Sequence, residues 1–179
     1  MITRRYLQQL LKKILLGFED ETWLNLQPYT TNTYMMKGEQ QKIFHKGSNR
    51  KINAFITILY PSNKIKFKIS KSRTSTDFID HLRSIRNYIK KNKIKRFILV
   101  TDNASFHVSR KAKQFIENQL DWLTVIFLPK RSPNLNPVET TVDRNLKKDV
   151  CANHNYATEE NLTNAVGRYL RRIGSWSKL

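Results

Sequence analysis

Acidic residues are scarce in this chain of 179 residues: 14 aspartates and glutamates face 33 lysines and arginines, for a formal net charge of +19. That imbalance makes nucleic acid the expected partner, with an anionic membrane surface as the rival. Cysteine is nearly absent. Cys151 alone excludes an internal disulfide and fits the reducing cytoplasm. Cys151 and His154 lack a second Cys/His pair at suitable spacing, which argues against a structural zinc. The five glycines form no phosphate-cradling loop, so no nucleoside triphosphate site is expected. No apolar run approaches the roughly 20 residues that span a bilayer, and the start has no uninterrupted apolar core before a cleavage site, so neither membrane anchor nor signal peptide is expected. No internal repeat or low-complexity segment occurs. With 39% hydrophobic residues the chain is globular rather than a disordered basic tail, and its length suits one sizeable domain.

Periodicity gives an order of elements. Residues 2 to 12 have short-helix character, with Ile2, Tyr6 and Leu10 on one face. Ile14 to Asp20 reads as a strand, and 24 to 38 as an irregular connection. Ile52 to Tyr60 and Lys64 to Ile69 read as a strand pair around a Pro-Ser-Asn turn. Lys64, Lys66 and Lys68 share one face of the second strand, as either a solvated edge or a track for DNA. Thr74 to Asp77 resembles a capping box opening a helix from about 75 to 91. A strand ending at Asp102, a helix over 108–118 with Arg110, Lys111 and Lys113 outward, and a strand over 123–128 follow. A helix from Asn136 to about 149 comes next, and then a last helix capped by Thr158. Strands first in a hairpin run and then alternating with helices predict a mixed α/β sheet flanked by helices.

Within that order two stretches carry chemistry. Phe97 to Thr101 is an apolar run that ends on Asp102, which is how a buried parallel strand delivers a side chain to the open edge of a sheet. After the next strand, Asn136-Pro137-Val138-Glu139 is a helix start with Asn as cap and Pro in the first position, so Glu139 leaves from the same sheet edge. Two carboxylates reaching one edge from different elements point to a divalent metal site, because hard ions take oxygen ligands. Each residue also has a plainer reading. Asp102 suits a turn cap, and Glu139 suits a capping glutamate. Asn103 is turn chemistry or an orienting amide, and His107 is a structural histidine or a contact to the DNA backbone or a water. Alternation along the first strand sets Asp20 on one side and Glu19 and Glu21 on the other, so only one phase faces a given site; Asp20, at the end of the apolar run, is the choice.

Asp102-Asn-Ala-Ser-Phe-His107, together with Leu128-Pro129 and Ser132-Pro-Asn-Leu-Asn-Pro-Val-Glu139, resembles the second and third acidic blocks of the DDE transposases, in the bacterial insertion-sequence branch of the mariner superfamily. Asp20, within Gly17 to Thr22, resembles the first block. The resemblance extends from about residue 14 to residue 172. It implies an RNase H-like fold with a catalytic domain over 14–179, and residues 1–13 as a helix or the remnant of an upstream DNA-binding region. It further implies that Asp20, Asp102 and Glu139 are catalytic and hold two Mg2+ or Mn2+ ions, Asp20 bridging them. The implied activity is hydrolysis at transposon ends followed by transfer of the freed 3′ hydroxyl into target DNA at a TA dinucleotide.

Lys130 and Arg131 stand where the family more often has Pro and an aromatic, which makes the loop more basic and suited to grip a phosphate. Val142 occupies the place of a usual Trp. Only 19 residues precede Asp20, where the family carries helix-turn-helix modules, so little sequence-selective binding is expected of this chain alone. The implied partners are DNA and either a second copy or a helix-turn-helix product, in a cytoplasmic, nucleoid-associated setting. The alternative reading is a catalytically inactive, truncated DNA-binding remnant.

Overall fold

The computed structural model describes residues 13–32, 34–39, 42–43, 47, 49–130 and 132–175. The expected helix over 2–12 and the side chain of Arg131 lie outside the described residues.

Five strands form one mixed sheet: β1 (Ile14–Asn25), β2 (Lys51–Tyr60), β3 (Lys64–Ser70), β4 (Arg96–Thr101) and β5 (Leu123–Phe127), in spatial order β3-β2-β1-β4-β5. β1 pairs antiparallel with β2, and β2 with β3; β1 and β4, and β4 and β5, are parallel. β2, rich in β-branched and aromatic residues, is buried along nearly its whole length, as a strand covered on both faces must be. Its alternation divides the core. Ala54, Ile56 and Ile58 face one layer, while Phe55 and Leu59 face the other.

Helices fill both layers. α1 (Ser75–Lys91) opens with the expected capping box, Thr74 and Asp77 each accepting from the other's backbone N–H. It buries Phe78, Leu82 and Ile85 against Phe55, Phe97 and Leu99, with α2 (Arg110–Glu117) alongside. On the opposite face lie α3 and α4. α3 is a continuous helical segment built from Val138–Asp143, Arg144–Leu146 and Lys147–Cys151. Its first and last parts have widened, i to i+5 turns, where the periodicity predicts a regular helix. Val142 is buried in this layer, so the smaller side chain in place of the family's Trp is packed. α4 (Glu159–Ser175) starts at Thr158, whose hydroxyl accepts from Asn161 N–H at 3.1 Å, and turns Leu162, Val166 and Leu170 inward. No helix among the described residues is long and apolar enough to cross a membrane.

β1 outruns its apolar stretch. The residues from Glu21 to Asn25, with Leu24 buried in the core, remain in the strand because they stay paired with β2, down to Asn25 opposite Lys51. Near its start, a Cβ on Gly17 would stand 2.6 Å from Phe97 Cζ and 2.9 Å from Thr57 Cγ2. Glycine there lets the Phe97 ring lie against the strand that carries the first acid.

Candidate active site

Phe18 on β1 stands opposite Val100 on β4. Two residues further along each chain, on the same face because side chains alternate, come Asp20 and Asp102. Ordinary sheet spacing, about 4.8 Å between neighbouring strands, therefore brings these two carboxylates together without a special loop. Glu139 arrives from α3. Asn136, 3% exposed, fixes that arrival: its side-chain amide donates to the Glu19 carbonyl at 2.8 Å, and its side-chain oxygen accepts from Val138 N–H at 3.1 Å. The helix start is thus tied to the residue before Asp20.

Asp20, Asp102 and Glu139 line one cleft of about 370 Å3, together with Asn103, Lys130, Ser132 and Asn136. Asn103 donates from its amide to the Leu128 carbonyl at 2.5 Å, joining the end of β4 to the loop after β5. Glu139 is exposed, and among the described residues its carboxylate makes no hydrogen bond, so it does not act as the helix's capping glutamate. The other basic residues singled out in the sequence lie elsewhere. Lys64, Lys66 and Lys68 sit on the edge strand β3, where Lys66 Nζ lies 4.3 Å from the Tyr88 ring centre and Lys68 pairs with Asp80 at 2.9 Å. Arg110 lines a separate surface hollow with Lys113, Gln114 and Glu117.

The electrostatics of the two strand acids diverge. Burial, and then the charges of Glu19, Glu139 and Asp102, push the Asp20 carboxyl up to about 7. Asp102 moves down, chiefly through its hydrogen bond from His107, which with the Ala104 N–H outweighs burial. Both donors, His107 Nδ1 and Ala104 N, lie 2.9 Å from the same atom, Asp102 Oδ1. Oδ2 accepts no hydrogen bond among the described residues.

Behind the cleft, on the other face of β1, His107 meets Glu19 and Glu21, the two acids that alternation turned away from the site. Glu19 and His107 are fully buried, and the Glu21 side chain is 6% exposed. His107 Nε2 lies 3.2 Å from Glu19 Oε2 and 3.6 Å from Glu21 Oε2, while the Thr101 hydroxyl donates to Glu19 Oε2 at 2.6 Å. Potential ligand atoms of Glu19, Glu21 and His107 all fall within 4.8 Å of one another. Burial works to lower the His107 ring, but Glu19, the hydrogen bonds to Asp102 and Glu19, and Glu21 outweigh it and lift it to about 10. The ring is therefore a cation at neutral pH and supplies the positive charge between these carboxylates. Burial first, and Glu19 second, push Glu21 upward. The available signal in the sequence was parity: if Asp20 faces the cleft, its two acidic neighbours must be answered on the reverse side. Trp23, also unremarked in the sequence, is 47% exposed at the end of β1 with Arg73 and Lys147 each 5.6 Å from its ring centre. An indole flanked by cations suits stacking with a nucleobase.

The cleft residues fit a divalent cation. Their donors are oxygens, as hard ions require, and Asp20 retains a proton near neutrality that an ion would displace. Linkage gives the sign. Between about pH 4 and 7 the folded state holds an Asp20 proton that the unfolded chain releases, so stability falls as pH rises; His107 acts the same way between its usual 6.5 and about 10. Metal-free protein should thus melt lower at pH 8 than at pH 5, and Mn2+ should raise the melting temperature markedly at pH 8 and little at pH 5. Equal Mn2+ shifts at both pH values in a thermal melt would contradict the assignment.

The insertion element IS630 uncharacterized 39 kDa protein of Shigella sonnei is 23% identical over 156 residues, covering 87% of this chain and 44% of that protein. The Mos1 transposase paired-end complex with left transposon end superposes with a TM-score of 0.66 at 15% identity, over 97% of this chain and 53% of that one. The catalytic domain of Mos1 mariner transposase gives 0.59 at 16% identity, over 96% of this chain and 80% of that one. Mos1 mariner paired end complexes are also known with Mn and with Mg. The chain spans less than half the length of the curated relative it matches. The structural likeness establishes the fold, the five-stranded mixed sheet of the RNase H-like class. The profile of the DDE superfamily endonuclease matches residues 16–163, a span that contains all three acids, and the chain belongs to that family.

Proposed function

We propose that this chain is the catalytic part of a cut-and-paste DNA transposase, hydrolysing phosphodiester bonds at element ends and joining the freed 3′ hydroxyl to target DNA. The observation that carries this reading is the meeting of Asp20, Asp102 and Glu139 in one cleft from β1, the end of β4 and α3. These three residues would hold two Mg2+ or Mn2+ ions. The ions, when bound, would help activate the attacking oxygen and stabilise the leaving one. On binding, Asp20 would give up its proton, Asp102 would offer Oδ2, the oxygen left without a hydrogen bond, and Glu139, exposed on the rim, would complete the donor set. Lys130 on the same rim is placed to meet a phosphate, and the +19 surface draws DNA in from a distance. Selective recognition of terminal repeats, and pairing with a second copy or a helix-turn-helix product, belong to the longer assembly that the relatives' lengths suggest.

The test is nicking of supercoiled plasmid with Mn2+, comparing the chain with Asp102→Asn. Metal-dependent nicking that is lost in the variant is the expected result. DNA retention without nicking in both proteins would mean an inactive DNA-binding remnant.

A further inference from the structure

Two features of the site are unexplained by the three acids. Asp102 is half exposed, with 51% of its side chain open to solvent, yet one of its oxygens takes two hydrogen bonds while the other takes none. And β1, the strand that delivers Asp20 to the cleft, places Glu19 and Glu21 on its reverse face, where both approach the ring that holds Asp102. Resting on the site assignment above, we infer that His107 is a positioning residue: it clasps Asp102 on the cleft side to Glu19 and Glu21 behind β1, and so sets which oxygen of Asp102 faces the ions.

The ring is held from every side. Nδ1 donates to Asp102 Oδ1 at 2.9 Å, and Nε2 faces the two glutamates at 3.2 and 3.6 Å. Phe78 from α1 and Phe106 each pack with ring centres 4.4 Å from it, and none of its side chain is exposed. An imidazole so enclosed cannot turn, so the orientation of its N–H is inherited by Asp102. Ala104 N–H alone would leave that carboxylate in an ordinary Asx turn at a loop start, free to be drawn by the surrounding cations. Since the far end of the ring sits against the strand bearing Asp20, one side chain relates the second acid to the first. Outer residues that orient a ligand carboxylate or imidazole in this manner typically contribute about 10- to 100-fold to metal affinity.

Mn2+ alone, titrated into the full chain without DNA and followed by calorimetry or electron paramagnetic resonance, tests this alongside thermal unfolding. His107→Ala should still melt cooperatively yet bind Mn2+ about 10-fold or more weakly. Glu21→Gln, nearly isosteric and touching the ring only from behind β1, should weaken binding severalfold; it decides the matter if His107→Ala does not fold. Asp102→Asn should lose binding outright. Wild-type Mn2+ affinity in His107→Ala or Glu21→Gln, with Asp102→Asn impaired, overturns the positioning role and leaves the site assignment standing, even if the melting temperatures fall. Wild-type affinity in Asp102→Asn overturns the site assignment itself.

Discussion

Asp20→Asn is expected to reduce metal-dependent nicking by about 10^3-fold while making the metal-free protein more stable at pH 8. The two effects have one cause. Asp20 sits in a partly buried position beside Glu19, Glu139 and Asp102, and burial with those charges lifts its carboxyl to about 7. Above that pH the folded chain must carry the charge without a partner. Asparagine keeps the shape and removes the charge, so the unfavourable charge disappears along with one of the donors that would hold the ions. Plasmid nicking and thermal melts on the same preparations check both halves. A variant that nicks like the parent would sink the assignment of Asp20, and one that loses nicking and also melts lower would point to a misfolded sheet rather than a missing ligand.

The second large effect is on the fold. Phe55→Ala should cost about 3–5 kcal/mol of unfolding free energy, the usual penalty for emptying a large aromatic site in a packed core. Phe55 is fully buried on β2, directly opposite Glu21 of β1 and Lys68 of β3. It meets Phe106 edge-on with ring centres 6.0 Å apart, and Phe106 in turn packs on His107. Removing it therefore opens a cavity beside Phe106, the ring that packs on the imidazole behind the cleft, and Mn2+ affinity should fall with stability. Urea unfolding monitored by tryptophan fluorescence gives the free energy; a loss below about 1 kcal/mol would show that the layer repacks around the gap.

Much of this was legible residue by residue. The apolar run ending at Asp102, the Asn-Pro start ahead of Glu139, the capping box at Thr74 and the Thr158 cap of the last helix all appear where pattern predicts them. Local chemistry governs each of these, and local chemistry is what a sequence displays. β1 was read short because its apolar run breaks at Glu19-Asp20-Glu21. Nothing nearby reveals that a strand beginning at Lys51 would hold it in register as far as Asn25. Asn136 was rightly read as a cap, but its second role, donating to the Glu19 carbonyl, depends on a residue distant along the chain. Lys68 looked like one of three equivalent lysines until α1 brought Asp80 against it.

Sequence alone determined the class of the molecule, its cationic surface, the order of its strands and helices, and the parity that sends Asp20 one way and Glu19 and Glu21 the other. Parity is intrinsic to an extended backbone and needs no partner. Only the tertiary structure decided what the two discarded glutamates meet. The turn after β4 carries His107 back beneath β1, to 3.2 Å from Glu19 and 3.6 Å from Glu21, where burial favours an opposite charge, and no short-range pattern encodes that pairing.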